Sequence, residues 1–177
     1  RDRSPSRGLG DVYKRQDKHS IEKEFTALIQ QYRNVIWKVC YIYAKDRENL
    51  NDLYQEAIIN LWKGFPKFRK ESKPSTWIYR IALNSCITFF RRFSRHPQTL
   101  RLTESWDFAY EENVFSSQIQ ELYALIHCLG NIERALILLW LEEKSYAEIA
   151  IITGLSQTNV ATKLCRIKEK LKKMSNQ

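Results

Sequence analysis

Two stretches of this chain carry residue types at spacings suited to contact with a polyanion. The first runs from Ser145 to Leu171. Ser145 and Glu148 have the spacing of a capping box, in which the hydroxyl accepts a backbone N–H and the carboxylate reaches back to the cap. Ala150 is small enough for two helices to meet closely, Gly154 suits the left-handed residue that ends a helix, and Ser156 can cap the next one. These features predict a helix-turn-helix that turns at Gly154-Leu155. In its second helix Val160, Leu164, Ile167 and Leu171 recur at helical spacing and face inward, which leaves Gln157, Thr158, Asn159, Thr162, Lys163 and Arg166 outside. Amide, hydroxyl and cationic groups of this kind read base edges and phosphates. Two ordinary packed helices with a solvated outer face are the plainer alternative.

The second stretch, Pro66-Lys67-Phe68-Arg69-Lys70-Glu71-Ser72-Lys73-Pro74, mixes aromatic and cationic side chains. Stacking on an unstacked base, together with phosphate neutralisation, is what such a loop offers to single-stranded nucleic acid. A helix from about Ser75 to Arg92 follows. It is expected to bury Trp77, Ile78, Ile81, Ser85 and Phe89 and to carry Arg80, Asn84, Thr88, Arg91 and Arg92 on or near the opposite face.

The elements that must position these groups are read as helices throughout. The 177 residues are 44% hydrophobic, enough for real cores, and hold only 5 Gly and 4 Pro, too few turn residues for a β-rich fold. An all-α protein is predicted. The net charge of +9 favours a polyanionic partner, and its distribution is more telling. Lys63 to Arg101 holds ten basic residues against Glu71 alone, whereas Thr103 to Glu143 holds eight acidic residues against Arg134 alone. Lys144 to the end is basic again. The four cysteines, Cys40, Cys86, Cys128 and Cys165, form no C-x-x-C pair, which suits buried thiols in a reducing cytoplasm. His127 beside Cys128 lacks further ligands at metal spacing, so no metal is expected. With neither a membrane-length apolar run nor a signal-peptide pattern, a soluble, cytoplasmic protein is predicted.

In chain order, residues 1–16 show no hydrophobic period and many Arg, Ser and Gly. They read as a non-native or disordered leader outside the fold, with a basic arm touching nucleic acid as the competing reading. From Ser20, the positions Phe25, Leu28, Ile29, Tyr32, Ile36, Val39, Cys40 and Tyr43 make one apolar face. After a polar break at Lys45–Asn49, Asn51 or Asp52 is expected to open a helix through Leu53, Ala57, Ile58, Leu61 and Trp62, stopping near Gly64 and Pro66. Its polar stripe of Asp52, Tyr54, Gln55, Glu56 and Asn60 suits a basic partner helix. Residues 93–117 read as an acidic linker, in which Trp106, Phe108 and Tyr110 call for some surface to lie against. The second module begins at Gln118, with Ile119, Leu122, Leu125 and Ile126 inward, breaks at Gly130-Asn131 and resumes from Ile132 to Leu141. The fold expected is therefore two small helical domains, 17–92 and 118–177, joined by a flexible linker.

The order of these parts is that of a known family. Asp52-Leu53-Tyr54-Gln55-Glu56-Ala57, Leu61-Trp62, Phe65 and Phe68, Thr76-Trp77-Ile78-Tyr79-Arg80-Ile81-Ala82-Leu83-Asn84 and Arg91-Arg92 resemble the first conserved domain of bacterial RNA polymerase sigma factors of the extracytoplasmic-function (ECF) class, in the sigma-70 family. Ser145 to Ala150, Gly154-Leu155-Ser156, Val160, Lys163, Leu164 and Arg166 resemble the second. The resemblance implies that Asp52, Gln55 and Glu56 bind the β′ clamp helices of core RNA polymerase. It implies that Phe68, Arg69, Lys70, Ser72, Lys73, Arg80 and Asn84 hold the melted minus-ten strand, and that Gln157, Thr158, Asn159, Thr162, Lys163 and Arg166 read the minus-thirty-five element. It further implies contact with the β flap, promoter DNA as partner, an anti-sigma factor that is usually membrane-anchored, a monomer when free, and no cofactor. Gly130-Asn131 departs from the family's usual prolines, Glu142-Glu143-Lys144 replaces a more usual Gly-containing turn, and Ser72-Lys73-Pro74 differs from the commoner loop.

Physics agrees with a factor that needs a larger machine. About six phosphate contacts lose roughly a thousandfold in affinity between 50 and 200 mM salt. A flexible linker of about 25 residues spans only about 25–30 Å on average and roughly 80 Å when stretched, so polymerase must set the distance between the domains. The acidic linker is expected to thread into the enzyme's cleft or exit path. Glu56→Lys is expected to abolish polymerase binding with the fold intact. A dimeric helix-turn-helix regulator of duplex DNA is the rival reading. No triad, phosphate loop or paired-carboxylate constellation suggests an enzyme.

Overall fold

The computed structural model describes the backbone of residues 7–69, 71–94 and 117–176, and the side chains of 19–69, 71–92 and 118–176. Residues 95–116 of the linker, Trp106, Phe108 and Tyr110 among them, and Lys70 of the basic loop lie outside the described residues. Seven α-helices and no strand occur among the described residues: α1 (Arg7–Tyr41), α2 (Arg47–Gly64), α3 (Pro74–Ser94), α4 (Ser117–His127), α5 (Asn131–Leu141), α6 (Tyr146–Thr153) and α7 (Gln157–Ser175). None is long and apolar enough to cross a membrane.

In the first half, α1, α2 and α3 pack on one another around Ile36, Val39, Cys40, Leu53, Ala57, Leu61, Ile78 and Cys86. The apolar period read from Phe25 to Tyr43 is the face that α1 turns inward, although Tyr43 itself lies just past the helix end. Two boundaries differ from expectation. The helical backbone of α1 already begins at Arg7, inside the segment 1–16 set aside as a leader; extending an existing helix forms a backbone bond for each residue fixed and needs no new nucleus. Residues 1–6 lie outside the described residues. Helix α2 starts within the supposed polar break, because the Asp46 carboxylate accepts the Asn49 N–H at 2.7 Å and Glu48 sits favourably in the first turn. At the other end of α2, a Cβ on Gly64 would lie 3.2 Å from Ile81 Cδ1, so the missing side chain lets this turn approach α3. Pro74 occupies the first turn of α3, where its lack of an N–H costs nothing.

In the second half, α5 supplies the most buried element, Ala135 to Leu139. It packs against α6 and α7 through Ile149, Ile152, Val160, Leu164 and Ile167. Glu133 accepts the Gly130 N–H at 2.9 Å and lies 3.2 Å from Lys170 Nζ; these contacts hold its carboxyl below the usual range and tie α5 to α7. Ile119, expected to face inward, is exposed in the first turn of α4, and Ile126 takes the buried position two turns on. The expectation of buried thiols is met by Cys40 and Cys86, whose sulfurs lie 4.0 Å apart. Cys128 and Cys165 are exposed, the latter on the solvent side of α7.

Helix α5 ends in a Schellman arrangement: the Lys144 N–H donates to the Leu139 carbonyl and the Glu143 N–H to that of Trp140, both at 3.0 Å. This places Glu143 at φ 56°, where its Cβ crowds the backbone and glycine is preferred. Glu143→Gly is therefore expected to stabilise the fold by about 1 kcal/mol, read as a higher denaturant midpoint at unchanged slope.

The two halves are docked. The end of α1 meets α4 and α5: the Tyr43 hydroxyl donates to the Asn131 carbonyl at 2.5 Å, and the Tyr41 ring meets Tyr123 edge-on at 5.1 Å. Arg134, the one cation of the acidic block, donates through Nε to the Leu129 carbonyl at 2.9 Å and through Nη2 to that of His127, capping the end of α4. Its Nη1 reaches the Ile42 carbonyl at 3.2 Å, across the boundary between the halves. On the other side of the junction α6 packs on α3, while the α5–α6 turn touches α1 and α3.

Burial, with the Arg134 charge beside it, pulls the His127 imidazole down from near 6.5 to about 4. Between those values the unfolded chain binds more protons at this residue than the folded one, so stability falls as the pH drops through that window. The expected loss from this group is about 2–3 kcal/mol between neutral pH and the bottom of the window, and His127→Gln should remove it from the pH dependence of denaturant unfolding.

Candidate nucleic-acid interface

Helix α3 presents one continuous exposed stripe. Arg80, Asn84, Thr88 and Arg91 follow at helical spacing with Arg92 beside them, all solvent-exposed, over roughly 16 Å of axis. The opposite face holds the core, with Ile78, Ala82, Ser85 and Cys86 buried. No acidic side chain occurs in α3 at all, so the stripe is a purely cationic and polar surface.

The basic loop leads into this stripe and is anchored by aromatic packing. Phe68 stacks on Trp77 with ring centroids 4.6 Å apart, Phe65 lies 6.3 Å from the same Trp77, and Phe25 meets Phe65 at 5.3 Å. One face of Phe68 is thus already covered by Trp77, while Arg69, Ser72 and Lys73 stand exposed around it. Arg69 and Glu71 approach to 3.9 Å but are so solvated that the pair leaves the loop's cationic character in place.

The helix-turn-helix has the local geometry read from its residues. Ser145 Oγ accepts the Glu148 N–H at 3.2 Å, and Glu148 returns to the Ser145 N–H at 3.0 Å, which lowers its carboxyl pKa. Gly154 ends α6 at φ 75°, and Ser156 caps α7 through the Asn159 N–H at 3.2 Å. Gln157, Thr158, Asn159, Thr162 and Arg166 are exposed on α7, and Lys163 is half-buried beside them. The Thr162 hydroxyl donates to the Thr158 carbonyl at 2.9 Å, so of the six it is the one already engaged by its own helix.

On α2, Asp52 and Gln55 are exposed. Glu56 is half-buried and accepts from Asn60 Nδ2 at 3.3 Å, and Asn60 also donates to the buried Ser85 hydroxyl at 3.0 Å. The polar stripe therefore divides: Asp52 and Gln55 face solvent freely, while Glu56 and Asn60 also help to join α2 to α3.

Residues 28–96 match the family described as Sigma-70 region 2, and residues 119–171 match Sigma-70, region 4, together well over half of the chain. The chain belongs to the sigma-70 family. Within the family it is similar to several relatives named as ECF sigma factors. It is 27% identical over 162 residues to the ECF RNA polymerase sigma-E factor of Haemophilus influenzae, covering 84% of this chain and 85% of that one. It is 22% identical over 177 residues to the ECF RNA polymerase sigma factor SigM of Mycobacterium tuberculosis, covering 96% and 90%. Its fold is similar to that of the sigma factor RpoE of Bartonella quintana, solved in complex with the anti-sigma factor NepR, with a TM-score of 0.70 at 16% identity over 87% of this chain and 98% of that one.

For a sigma-70 protein, the layout brings Phe68, Arg69, Ser72, Lys73, Arg80 and Asn84 onto one loop and helix, and the six α7 residues onto another surface. Asp52, Gln55 and Glu56 lie on α2. Membership accounts for both halves of the chain, which the dimeric regulator does not. Sequence reading passed over the junction residues Glu142, Tyr79 and Arg134. Arg134 carried a local signal as the sole cation in an acidic block and Glu142 one as part of a turn without glycine, whereas Tyr79 carried none. Among the described residues no group of three or more His, Cys, Asp or Glu is placed to hold a metal ion.

Proposed function

We propose that this chain is a sigma factor that binds core RNA polymerase in the cytoplasm and directs it to promoters, where it recognises and opens DNA and starts transcription. The observation that carries this reading is the pairing, in one sigma-70 chain, of an exposed cationic stripe fed by a basic loop with a separately capped helix whose outer face is all polar. In this reading Asp52, Gln55 and Glu56 dock on the β′ clamp helices. Arg69, Lys70, Ser72, Lys73, Arg80 and Asn84 hold the melted minus-ten strand, with Phe68 shaping the loop from its place on Trp77. Gln157, Thr158, Asn159, Thr162, Lys163 and Arg166 read the minus-thirty-five duplex, where amide and guanidinium groups match base edges and Lys163 matches phosphate.

A protein partner that holds the chain inactive belongs to the same proposal, supported by the neighbouring fold having been solved with an anti-sigma factor. The test is to add the purified chain to core RNA polymerase and map transcription starts across the source genome. A set of starts that share upstream elements, and appear only when both components are present, is expected. A start pattern identical to that of core enzyme alone contradicts the reading.

A further inference from the structure

We propose that Cys40 and Cys86 are a redox-active pair, which a peroxide converts to a disulfide that staples α1 to α3. Cys40 lies in the last turn of α1 and Cys86 in the middle of α3, both fully buried, with their sulfurs 4.0 Å apart. A disulfide holds its sulfurs about 2.0 Å apart, so the remaining gap of about 2 Å falls to small rotations of the two side chains. The other two cysteines, Cys128 and Cys165, are exposed.

The backbone on either side of the pair is held. The Cys40 carbonyl accepts the N–H groups of Tyr43 at 3.1 Å and Ala44 at 2.9 Å, which fixes the end of α1. Next to Cys86, the Ser85 hydroxyl donates to the Ile81 carbonyl at 2.8 Å and accepts from Asn60 at 3.0 Å. Core filling alone asks only for small apolar volume at these positions. Here one sulfur is set against the other, with the Cys86 S–H directed at Cys40, and that contact is what oxidation needs.

The hydrogen bond to Cys40, together with burial, pushes the Cys86 thiol well above its usual range. Cys40 is therefore the attacking sulfur. As its thiolate it attacks one oxygen of hydrogen peroxide; an S–O bond forms, the O–O bond breaks, and the displaced hydroxide takes up the proton that Cys40 released and leaves as water. The Cys86 sulfur then loses its proton and attacks the sulfenic sulfur. The S–S bond forms, the S–O bond breaks and a second water leaves. Two electrons pass from the thiols to the peroxide. Packing of α1 on α3 excludes the oxidant, so the first step waits on a transient opening of these helices. Once Cys40 is oxidised, the neighbouring thiol intercepts it before further oxygen is added.

In a reducing cytoplasm the pair rests as thiols. The bond joins residues 46 positions apart, which restricts the unfolded chain. It also lies on the face of α3 opposite Arg80, Asn84, Thr88 and Arg91, so oxidation strengthens the half that bears the stripe and leaves the stripe itself untouched.

The experiment uses the full-length chain with its exposed cysteines replaced, C128S/C165S, so that Cys40 and Cys86 are its only thiols. Treatment with excess hydrogen peroxide and peptide mass mapping without reductant are expected to show one link, within a monomer, between the peptides bearing Cys40 and Cys86. Dithiothreitol should reverse it. The thermal midpoint of the linked chain is expected to rise by on the order of 10 °C. The same treatment of C40A/C128S/C165S is expected to produce no rise. Thiols of C128S/C165S that stay free or only gain oxygen overturn the proposal, as does a linked chain whose midpoint is unchanged or lowered. An equal rise in C40A/C128S/C165S also overturns it, because the staple is then not the cause. No polymerase enters the test, so its result is independent of the function proposed above.

Discussion

Asp52→Lys is expected to lower the affinity of the chain for core RNA polymerase by about a hundredfold or more while leaving its thermal unfolding unchanged. Asp52 is exposed on α2 and takes no part in the junction or in the Glu56–Asn60–Ser85 hydrogen bonds, so reversing its charge should cost the isolated fold little. At a docking surface, a like charge set against a basic partner helix costs several kcal/mol, on the order of 2–5, which corresponds to a thirtyfold to several-thousandfold loss. Glu56→Lys should also prevent assembly, but its carboxylate is bonded to Asn60 at 3.3 Å, and part of its effect would be on the packing of α2 against α3. Asp52 therefore separates docking from folding more cleanly. Native gel or fluorescence titration with core enzyme measures the effect, and wild-type affinity in Asp52→Lys would contradict the assignment of α2.

The double variant Lys163→Ala/Arg166→Ala is expected to reduce transcription from a promoter that depends on its minus-thirty-five element by about a hundredfold. Each lost phosphate or base-edge contact is worth about 1–3 kcal/mol, and both side chains leave from the outer face of α7, next to buried Leu164 and Ile167 that should stay in place. The salt dependence supplies a check that a folding defect would not mimic. If both cations contact phosphate, the slope of log affinity against log salt should become shallower by about 2. A template with a pre-opened bubble and no upstream element should be transcribed equally well by both proteins. An unchanged salt slope would show that these cations do not face DNA.

What could be read from residues alone was what depends on near neighbours. The capping box of Ser145 with Glu148, the left-handed Gly154 and the burial of Val160, Leu164 and Ile167 all rest on partners within a few residues, and all are present. Local signals were also misjudged. Asp46 is as good a cap as Asp52, but a run of polar residues around it obscured the start of α2. The turn at Glu142-Glu143-Lys144 stood out for lacking glycine, yet only the structure shows that Glu143 bears the left-handed conformation. The junction was illegible for a different reason. Lys38 and Glu142 are separated by 104 residues and Arg134 and Ile42 by 92, and the Arg134 contacts end on backbone carbonyls, which carry no side-chain signature. The expectation of two small helical domains stands, and to it the structure adds that they dock on each other.

The candidate site follows the same division. The stripe Arg80, Asn84, Thr88 and Arg91 was legible because helical spacing predicts one face. The place of Phe68 against Trp77, nine residues on, was not, since an aromatic residue in a basic loop reads equally well as a platform for a base. Glu148 was read only as a cap. Its second contact, with Lys73 at 3.4 Å, ties the basic loop to the start of α6.

The central claim is that two weakly binding surfaces become a promoter reader only when a larger enzyme fixes the distance between them. The most direct test is the affinity of the purified chain for promoter duplex at physiological salt, measured by fluorescence anisotropy with and without core RNA polymerase. The chain alone is expected to bind no more tightly than a non-specific ligand, about 1 µM or weaker, and the assembled enzyme in the nanomolar range. Nanomolar binding by the isolated chain at that salt, or a core enzyme that adds nothing, would contradict the account.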